Sequence, residues 1–298
     1  MGKKGKKAQA GKPKKLTPKD TSKRLDALVK KLEEELKGAD LFAPLPPTED
    51  CAICLVPMSR IKSDTMYKAC CGKEICWACH KEHDASINKQ NEEKSAGKKL
   101  ALTCPFCREP VPTFGLGFLR QLQARRLKND DHVAFSVLGD EYGKVDCETH
   151  VPKDDLKALD CWIRAVELGS PEACTKIGMS YDKGNGMAID KKRGALFERI
   201  GALRGCIYAR HNIGLSEYHT FGNHENGIRH WKIAAEAGDQ DSLNILRKIY
   251  NAGGKTPGKE FITKDYLDKV YRACHEAQME VKSEEREKHS VTVNPLKE

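Results

Sequence analysis

Near the start of the chain, apolar residues recur at the spacing of one helix face. Positions three and four residues apart share a side of a helix, and the apolar residues at such positions are Leu25, Leu28, Val29, Leu32 and Leu36. Thr21 or Ser22 is the expected cap and Gly38 the stop. The pattern predicts an amphipathic helix from Thr21 to Lys37, which either packs on the rest of the protein or pairs with a second copy, as in a coiled coil, or with a partner.

The second half of the chain repeats one helical pattern at intervals of 39, 36 and 33 residues. Each unit opens a first helix at a small residue: Ala134, Ala173, Ala209 and Ser242. In the first three units a glycine follows five residues later: Gly139, Gly178 and Gly214. A second helix then starts at a capping residue (Asp154, Asp190, Asn223) and closes at a glycine (Gly169, Gly205, Gly238). Large side chains are expected to fill the space between layers of helices, and they are Trp162, Phe197 and Trp231.

One such helix pair cannot bury its apolar face alone, so stacked pairs must share a continuous core. The repeats therefore predict an α-solenoid over residues 131–260, with a weakened fourth unit in which Arg247 replaces the glycine. A charged helix from Thr263 to Lys288 is expected to cap it within residues 261–298. The alanine, LG, tyrosine, GNGMAID and WIRAVELG pattern resembles the Sel-one-like repeat, a relative of the tetratricopeptide repeat. That resemblance implies a scaffold that binds other proteins.

The net positive charge of the chain comes from its first residues. The net charge is +9, and residues 1–24 alone carry ten Lys or Arg against one acid, so the remainder is neutral. Residues 1–20 are expected to be a disordered basic tail, because they hold too little apolar surface to offset the entropy of ordering. Residues 21–49 complete this region with the amphipathic helix and a proline-rich linker. The tail supports only nonspecific electrostatic contact with nucleic acid.

Cysteine usage indicates the compartment. Eight of the thirteen cysteines lie between positions 51 and 107, mostly in CxxC pairs, which in a reducing compartment indicates metal rather than disulfides. No apolar run is long enough to cross a membrane or to serve as a signal peptide. We therefore expect a soluble protein of the cytoplasm or nucleus with no membrane partner.

Three CxxC pairs supply six metal ligands: Cys51/Cys54, Cys76/Cys79 and Cys104/Cys107. Zinc takes four such ligands, so six are too many for one ion and too few for two. The missing pair must come from Cys70, Cys71, His80 or His83. If they are not ligands, the two histidines are expected to be exposed on a short helix after Cys79.

The ligand order over residues 50–113 resembles the RING finger, in which the first and third pairs share one zinc ion and the second and fourth share another. Lys73 stands where that family usually has a histidine. Cys71 fits a variant built of cysteines throughout, and Cys70 is then its partner, with His83 or His80 as the alternative. The resemblance implies a small two-zinc module joined to the solenoid by a helix from Gly115 to Lys128, within residues 114–130, and the fold class is mainly α.

The resemblance also implies a partner. Ile53, Pro105 and Arg108 match the positions at which RING ubiquitin ligases contact a ubiquitin-conjugating enzyme, so the implied function is a ubiquitin ligase that holds its protein substrate on the repeats. A noncatalytic scaffold with purely structural zinc is the alternative. Zinc sites filled by four protein ligands leave no position for an activated water, so no catalytic residue is predicted.

Other histidines and cysteines are not predicted to form a site. Four histidines cluster in one repeat without the spacing of a catalytic metal site, and solvated positions are expected for His211, His219, His224 and His230. The five remaining cysteines are scattered and expected to be idle or buried thiols: Cys147, Cys161, Cys174, Cys206 and Cys274.

Overall fold

The computed structural model describes residues 17–61, 64–92, 100–111, 116–144, 152–253, 255–256, 259–260 and 262–280. The basic tail up to residue 16, Cys147 and residues 281–298 lie outside these ranges. The described chain is mainly α. Its helices are α1 (Pro18–Leu36), α2 (Trp77–Glu92), α3 (Leu116–Asn129), α4 (His132–Gly143), α5 (Asp155–Glu167), α6 (Pro171–Lys183), α7 (Lys191–Leu203), α8 (Ile207–Leu215), α9 (His224–Glu236), α10 (Gln240–Asn251) and α11 (Lys264–Glu280).

Two short antiparallel hairpins complete the described structure. Strand β1 (Thr65–Lys68) pairs with β2 (Lys73–Cys76) in the register Thr65 to Cys76 and Lys68 to Lys73. The second hairpin joins β3 (Lys255–Thr256) to β4 (Lys259–Glu260). None of the described helices is both long and apolar enough to span a membrane.

The solenoid is built from the predicted helix pairs α4/α5, α6/α7 and α8/α9. The second helices of the first two pairs start at their predicted caps, since Asp154 accepts from the Lys157 N–H and Asp190 from the Lys192 and Arg193 N–H groups. All three second helices close alike: the residue after the glycine donates to the carbonyl five residues back, as Ser170 does to Ala165 at 2.9 Å. This repeated closure ends each pair with the same hydrogen-bonded turn before the next pair begins.

One detail of the predicted repeat is wrong: Asn223 does not cap α9 with its side chain but donates to Glu217 Oε2, at 2.8 Å. Phe197 is fully buried in the main apolar cluster, as predicted, but its place in the repeat differs by one position from that of the two tryptophans. Trp162 and Trp231 each lie seven residues before a closing glycine, and in the second repeat that position is Glu198.

Close approach of helices explains the repeat glycines. A Cβ at Gly139 would lie 2.5 Å from the Trp162 indole, and one at Gly214 would lie 2.5 Å from the Trp231 indole. At Gly178 the nearest group is the Glu198 side chain, 3.2 Å from where a Cβ would be. The three positions are equivalent, and only the middle one faces a carboxyl group.

The fourth unit is a helix pair with a polar outer side. α10 begins at the cap Asp239 and packs with α11 and α9, around a cluster that includes Ile262, Val270 and Cys274. Arg247, where the earlier units have glycine, is exposed. α11 thus caps the solenoid as predicted; the predicted end at Lys288 lies outside the described residues.

α1 packs on the solenoid and so follows the first of the two predicted alternatives. It starts at Pro18 rather than Thr21, because Thr17 caps it by accepting from the Asp20 N–H. Its buried face contacts α5 and α7, and its edges are held by salt bridges. The bridges are Arg24 with Asp160, Asp26 with Arg193, and Glu35 with Arg204.

The proline-rich linker after α1 also lies against the repeats. Arg210, fully buried in α8, donates to the Leu41 and Ala202 carbonyls. The Phe42 ring lies 4.7 Å from the His230 ring, and Arg60 of the cysteine module donates to the Pro46 carbonyl. The linker therefore contacts the solenoid on one side and the cysteine module on the other.

Candidate metal centre

Eight cysteines form two groups of four. The thiols of each group lie within 4.8 Å of one another: Cys51, Cys54, Cys76 and Cys79 in the first, and Cys70, Cys71, Cys104 and Cys107 in the second. The groups interleave along the sequence, first and third pairs together and second and fourth together, as the RING resemblance implied. Among the described residues, no histidine or carboxylate belongs to either group.

The first and the last of the three CxxC pairs have the same backbone hydrogen bonds. Cys51 N–H donates to the Val56 carbonyl at 2.9 Å and Leu55 N–H to the Cys51 carbonyl at 2.9 Å. Cys104 N–H donates to Glu109 at 2.8 Å and Arg108 N–H to Cys104 at 3.0 Å. Each loop is thus closed into a tight knuckle that turns its two sulfurs to one side.

The knuckles share one further feature. The residue directly after the second cysteine has positive φ in both: Leu55 at 57° and Arg108 at 59°. Residues with a side chain rarely adopt this conformation, so the closed knuckle is imposing it. Leu55 and Arg108 consequently occupy equivalent outward positions on the two loops.

Cys70 and Cys71 lie side by side in the loop of the β1–β2 hairpin. The loop is closed by the Lys68 carbonyl, which accepts from Cys71 N–H at 3.2 Å and Gly72 N–H at 2.7 Å. Gly72 has φ of +73°, and a Cβ there would lie 2.5 Å from Arg125. The tight turn lets the sulfurs of both Cys70 and Cys71 approach those of Cys104 and Cys107. The positive φ and the close contact explain why glycine follows at position 72.

The competing histidines are engaged elsewhere. His83 Nε2 donates to the Thr103 carbonyl at 2.8 Å, and His80 Nδ1 lies 3.1 Å from Lys68 Nζ. Both side chains are partly buried against the module rather than exposed on α2, which corrects the expectation for unligated histidines. His83 therefore fastens α2 to the fourth cysteine pair, and Lys73 points outward from β2.

Hydrogen bonds distinguish the thiols within each group. Burial raises the pKa of Cys51, but the N–H groups of Cys54, Cys76 and Ile53 lower it overall to about 6. Burial likewise raises the pKa of Cys104, and the N–H groups of Cys107 and Phe106 bring it below its ordinary value. Burial and neighbouring thiols raise the pKa of Cys70 and of Cys79. Hydrogen bonds from N–H groups therefore favour the thiolate form of Cys51 and of Cys104, whereas burial and neighbouring thiols disfavour it at Cys70 and Cys79.

The donor sets fit zinc. Four thiolates about 2.3 Å from a tetrahedral ion are roughly 3.8 Å from one another. The Cys54 and Cys76 sulfurs are 4.0 Å apart, and those of Cys71 and Cys104 are 3.7 Å apart. Each group can therefore hold one metal ion with all four positions filled by protein. The first group is largely buried, whereas Cys107 of the second is exposed.

The outward surface of the knuckles is apolar on one loop and basic on the other. Ile53 is 41% exposed and Leu55 is 74% exposed. Pro105 is half-buried, and Arg108 is exposed with no partner among the residues described. Phe106 packs against the apolar cluster around the first cysteine group, which makes the two knuckles neighbours. The three residues singled out from the sequence thus lie on adjoining loops.

One polar junction fixes the module to the solenoid. Tyr67 of β1 donates to Asp131 Oδ2 at 2.7 Å, and Arg125 of α3 donates to the same oxygen at 3.1 Å. The other oxygen of Asp131 caps α4, accepting from the Val133 and Ala134 N–H groups. Burial raises the pKa of Asp131, but the bonds from Tyr67, Ala134 and Arg125 hold it below its ordinary value. The ionised carboxylate therefore joins hairpin, connecting helix and first repeat.

The histidine cluster in the third repeat is only partly solvated. His230 is buried, and His211 Nδ1 lies 2.8 Å from Ser242 Oγ and 3.3 Å from Asp239 Oδ2. Because the same nitrogen faces both partners, these residues do not form a catalytic relay, which needs one partner on each ring nitrogen. They join α8 to the start of α10. The expectation of solvated positions was wrong for these two histidines.

Comparison with known proteins finds only distant structural similarity. No family model matches the chain, and no curated protein matches it. A solved Sel1 repeat protein from Oxalobacter formigenes has a TM-score of 0.45 and 23% identity, covering 54% of this chain and 64% of that one. The protective antigen c5321 of uropathogenic Escherichia coli, described as displaying an SLR fold, has a TM-score of 0.42 and 25% identity over 53% and 33%. This chain spans less than two thirds of the length of either protein.

Proposed function

We propose that the protein is a RING-type ubiquitin ligase of the cytoplasm or nucleus. Its cysteine module would hold two zinc ions and receive a ubiquitin-conjugating enzyme, and its repeats would hold the protein to be modified. The observation that carries the proposal is the pair of adjoining knuckles, which expose apolar Ile53 on one loop and, on the other, Arg108 with no partner in the described part of the chain.

The chemistry asked of the module is positioning. A conjugating enzyme arrives with ubiquitin already on a thioester, so the ligase needs no nucleophile or base of its own. Ile53 and Pro105 would supply apolar contact, and Arg108 would donate hydrogen bonds across the enzyme and its ubiquitin. Restricting the thioester to an attackable geometry lowers the barrier through orientation and fixed hydrogen bonds. The zinc ions would keep the knuckles folded.

A ubiquitination assay with purified components tests this proposal. Purified zinc-loaded protein is incubated with ubiquitin, activating enzyme and a panel of conjugating enzymes. Ubiquitin chains should form with at least one of them, and Arg108→Ala should reduce the rate about tenfold or more. Arg120→Ala, on the exposed side of α3, is the matched control and should leave the rate unchanged.

The contrary result is equally clear. If no conjugating enzyme supports chain formation, while each chain still carries two zinc ions, the ligase proposal fails. The module would then be a structural part of a protein-binding scaffold.

A further inference from the structure

A cleft of about 1030 Å³ lies where the linker, the cysteine module and the last repeats meet. Its walls come from Phe42 to Leu45 of the linker, Pro57 to Ile61 and Trp77 of the module, and α9 and α11 of the solenoid. This volume is at the upper end of the range for sites that enclose a drug-sized molecule, about 300–1,000 Å³. The cleft can therefore receive several side chains of a bound segment.

The surface of the cleft is mainly apolar. Aromatic rings come from each of its three parts: Phe42 from the linker, Trp77 from the module and Tyr266 from the solenoid. Ile61 is 38% exposed, and Ile233 of α9 adds a further aliphatic side chain. Burying these groups against a partner would be favourable at about 25 cal/mol for each Å² of apolar surface removed from water.

The charges in the cleft are not balanced. Its acids already have partners, because Asp64 accepts from Ser59 Oγ at 2.8 Å and Glu236 lies 3.6 Å from Lys232. Within the described ranges, the acceptor of Arg60 is the Pro46 carbonyl, and Arg229 stacks on Phe42 at 3.7 Å from the ring centroid. Among the described residues, neither arginine has a carboxylate partner.

The neighbourhood of Arg229 is also positive. Buried Arg210 is held by two carbonyl oxygens rather than by an acid. Burial and the charges of Arg210, Arg199 and Arg229 lower the pKa of His230 to about 4. An anion entering from solvent would meet this field without displacing an existing ion pair.

We propose that this cleft binds a protein segment that combines aromatic or aliphatic side chains with aspartate or glutamate. Its apolar side chains would fill the space between Phe42, Trp77 and Tyr266, and its carboxylates would pair with Arg60 and Arg229. The inference deepens the proposed function, on which the assignment of this segment to a substrate rests. Because module and solenoid both line the cleft, a substrate bound here lies beside the module that would act on it.

The test is selection from a random dodecapeptide display library on the zinc-loaded full chain. Enriched peptides should share an apolar residue close to Asp or Glu, and their affinities are then measured by fluorescence anisotropy of labelled synthetic copies. Arg229→Glu and Arg60→Glu should each weaken binding about tenfold or more. The matched control Arg247→Glu, on the exposed side of α10 and outside the cleft, should change it less than twofold.

A charge exchange keeps the test valid if Arg60→Glu disturbs folding. Arg229 is exposed, so its variant should fold, and a peptide with Lys in place of its acids should bind Arg229→Glu better than the unaltered protein. The proposal is wrong if no peptide is enriched, if enriched peptides are basic, or if the arginine variants bind as well as the original. It is equally wrong if peptides bind only after removal of residues 281–298, because the cleft would then hold the chain's own end. No ubiquitin component enters the measurement, so its failure is distinct from failure of the ligase assay.

Discussion

Glu198 occupies the place that an indole fills in the repeats on either side. The residue is 7% exposed; Oε1 accepts from Asn212 at 3.2 Å, and Oε2 has no hydrogen-bond partner among the residues that the structure describes. Burial, with a smaller contribution from Asp182, raises the pKa of Glu198 to about 8. A buried carboxyl group replaces an apolar ring here, and it is stable mainly in its neutral form.

Replacing Glu198 with Gln should therefore change how stability depends on pH. The folded pKa of about 8 exceeds the ordinary value of 4.5, so the stability contributed by protonated Glu198 is complete below pH 4.5 and lost as pH rises through 8. The variant cannot ionise and should gain relative stability across that window, by up to about tenfold in the folding equilibrium per pH unit. Urea unfolding at pH 5 and pH 8 measures the difference. Glu276→Gln, at an exposed position, is the control, and an equal difference at both pH values would contradict the assignment.

Among the eight candidate ligands, Cys70 has the strongest competitors in the sequence. With Cys70 in the second group and His83 bonded to a carbonyl, we expect two zinc ions in the unaltered chain and in His83→Ala. Cys70→Ser should bind one ion tightly and the second much more weakly, because a hydroxyl group is a poor replacement for a thiolate. Native mass spectrometry after dialysis counts the ions. If His83→Ala loses an ion while Cys70→Ser retains both, His83 rather than Cys70 is the metal ligand.

At the scale of the element, α1 shows which inferences local sequence supports. Its apolar face could be predicted because helical spacing is a local property, and so could the closing glycines of the repeats. Its start at Pro18 was missed, although Thr17, Pro18 and Asp20 form a recognisable capping sequence. That it packs on α5 and α7 depends on residues more than a hundred positions away, such as Arg24 with Asp160. Such pairs have no local signature.

α1 should contribute strongly to the stability of the solenoid. Leu32 is fully buried in the cluster that contains Phe197 and Ile200, so Leu32→Ala should lower the free energy of unfolding by about 2–5 kcal/mol. Exposed Glu33→Ala should have little effect. Urea unfolding followed by circular dichroism measures both. If Leu32→Ala instead dissociates a dimer without loss of monomer stability, α1 is a self-association helix.

The cysteine module likewise separates what local sequence predicts from what it does not. Spacing alone identified three cysteine pairs, and the RING resemblance implied how they divide between two ions. The roles of His80 and His83 could not be predicted, because their partners lie on β1 and beside Cys104. The Ile53, Pro105 and Arg108 surface remains a prediction at the level of function.

At the scale of the whole molecule, the junction at Asp131 connects the cysteine module to the first repeat. Metal removal should unfold the module, since binding energy in small zinc modules is folding energy. The caps at Asp131 and the contacts of Tyr67 with the cluster around Leu122 and Leu138 would then be weakened. Loss of metal should therefore loosen α4 before more distant helices.

Hydrogen exchange with and without a zinc chelator measures this coupling. Amides of α4 should lose protection on chelation, whereas those of α7, which α1 also covers, should change much less. Tyr67→Phe, which removes the hydroxyl group alone, should reproduce part of the effect at α4 with zinc still bound. Equal loss in both helices, or none in α4, would show that module and solenoid fold independently.

The same attachment has a consequence for selectivity. The module is held to the first repeat through Asp131 and lies against the linker through Arg60, so its knuckles keep a set position relative to the repeats. In the proposed ligase, the fixed distance between docking site and knuckles would decide which lysine of a substrate is modified. The sequence around that lysine would matter less, and moving the lysine along the substrate would bring it into or out of reach.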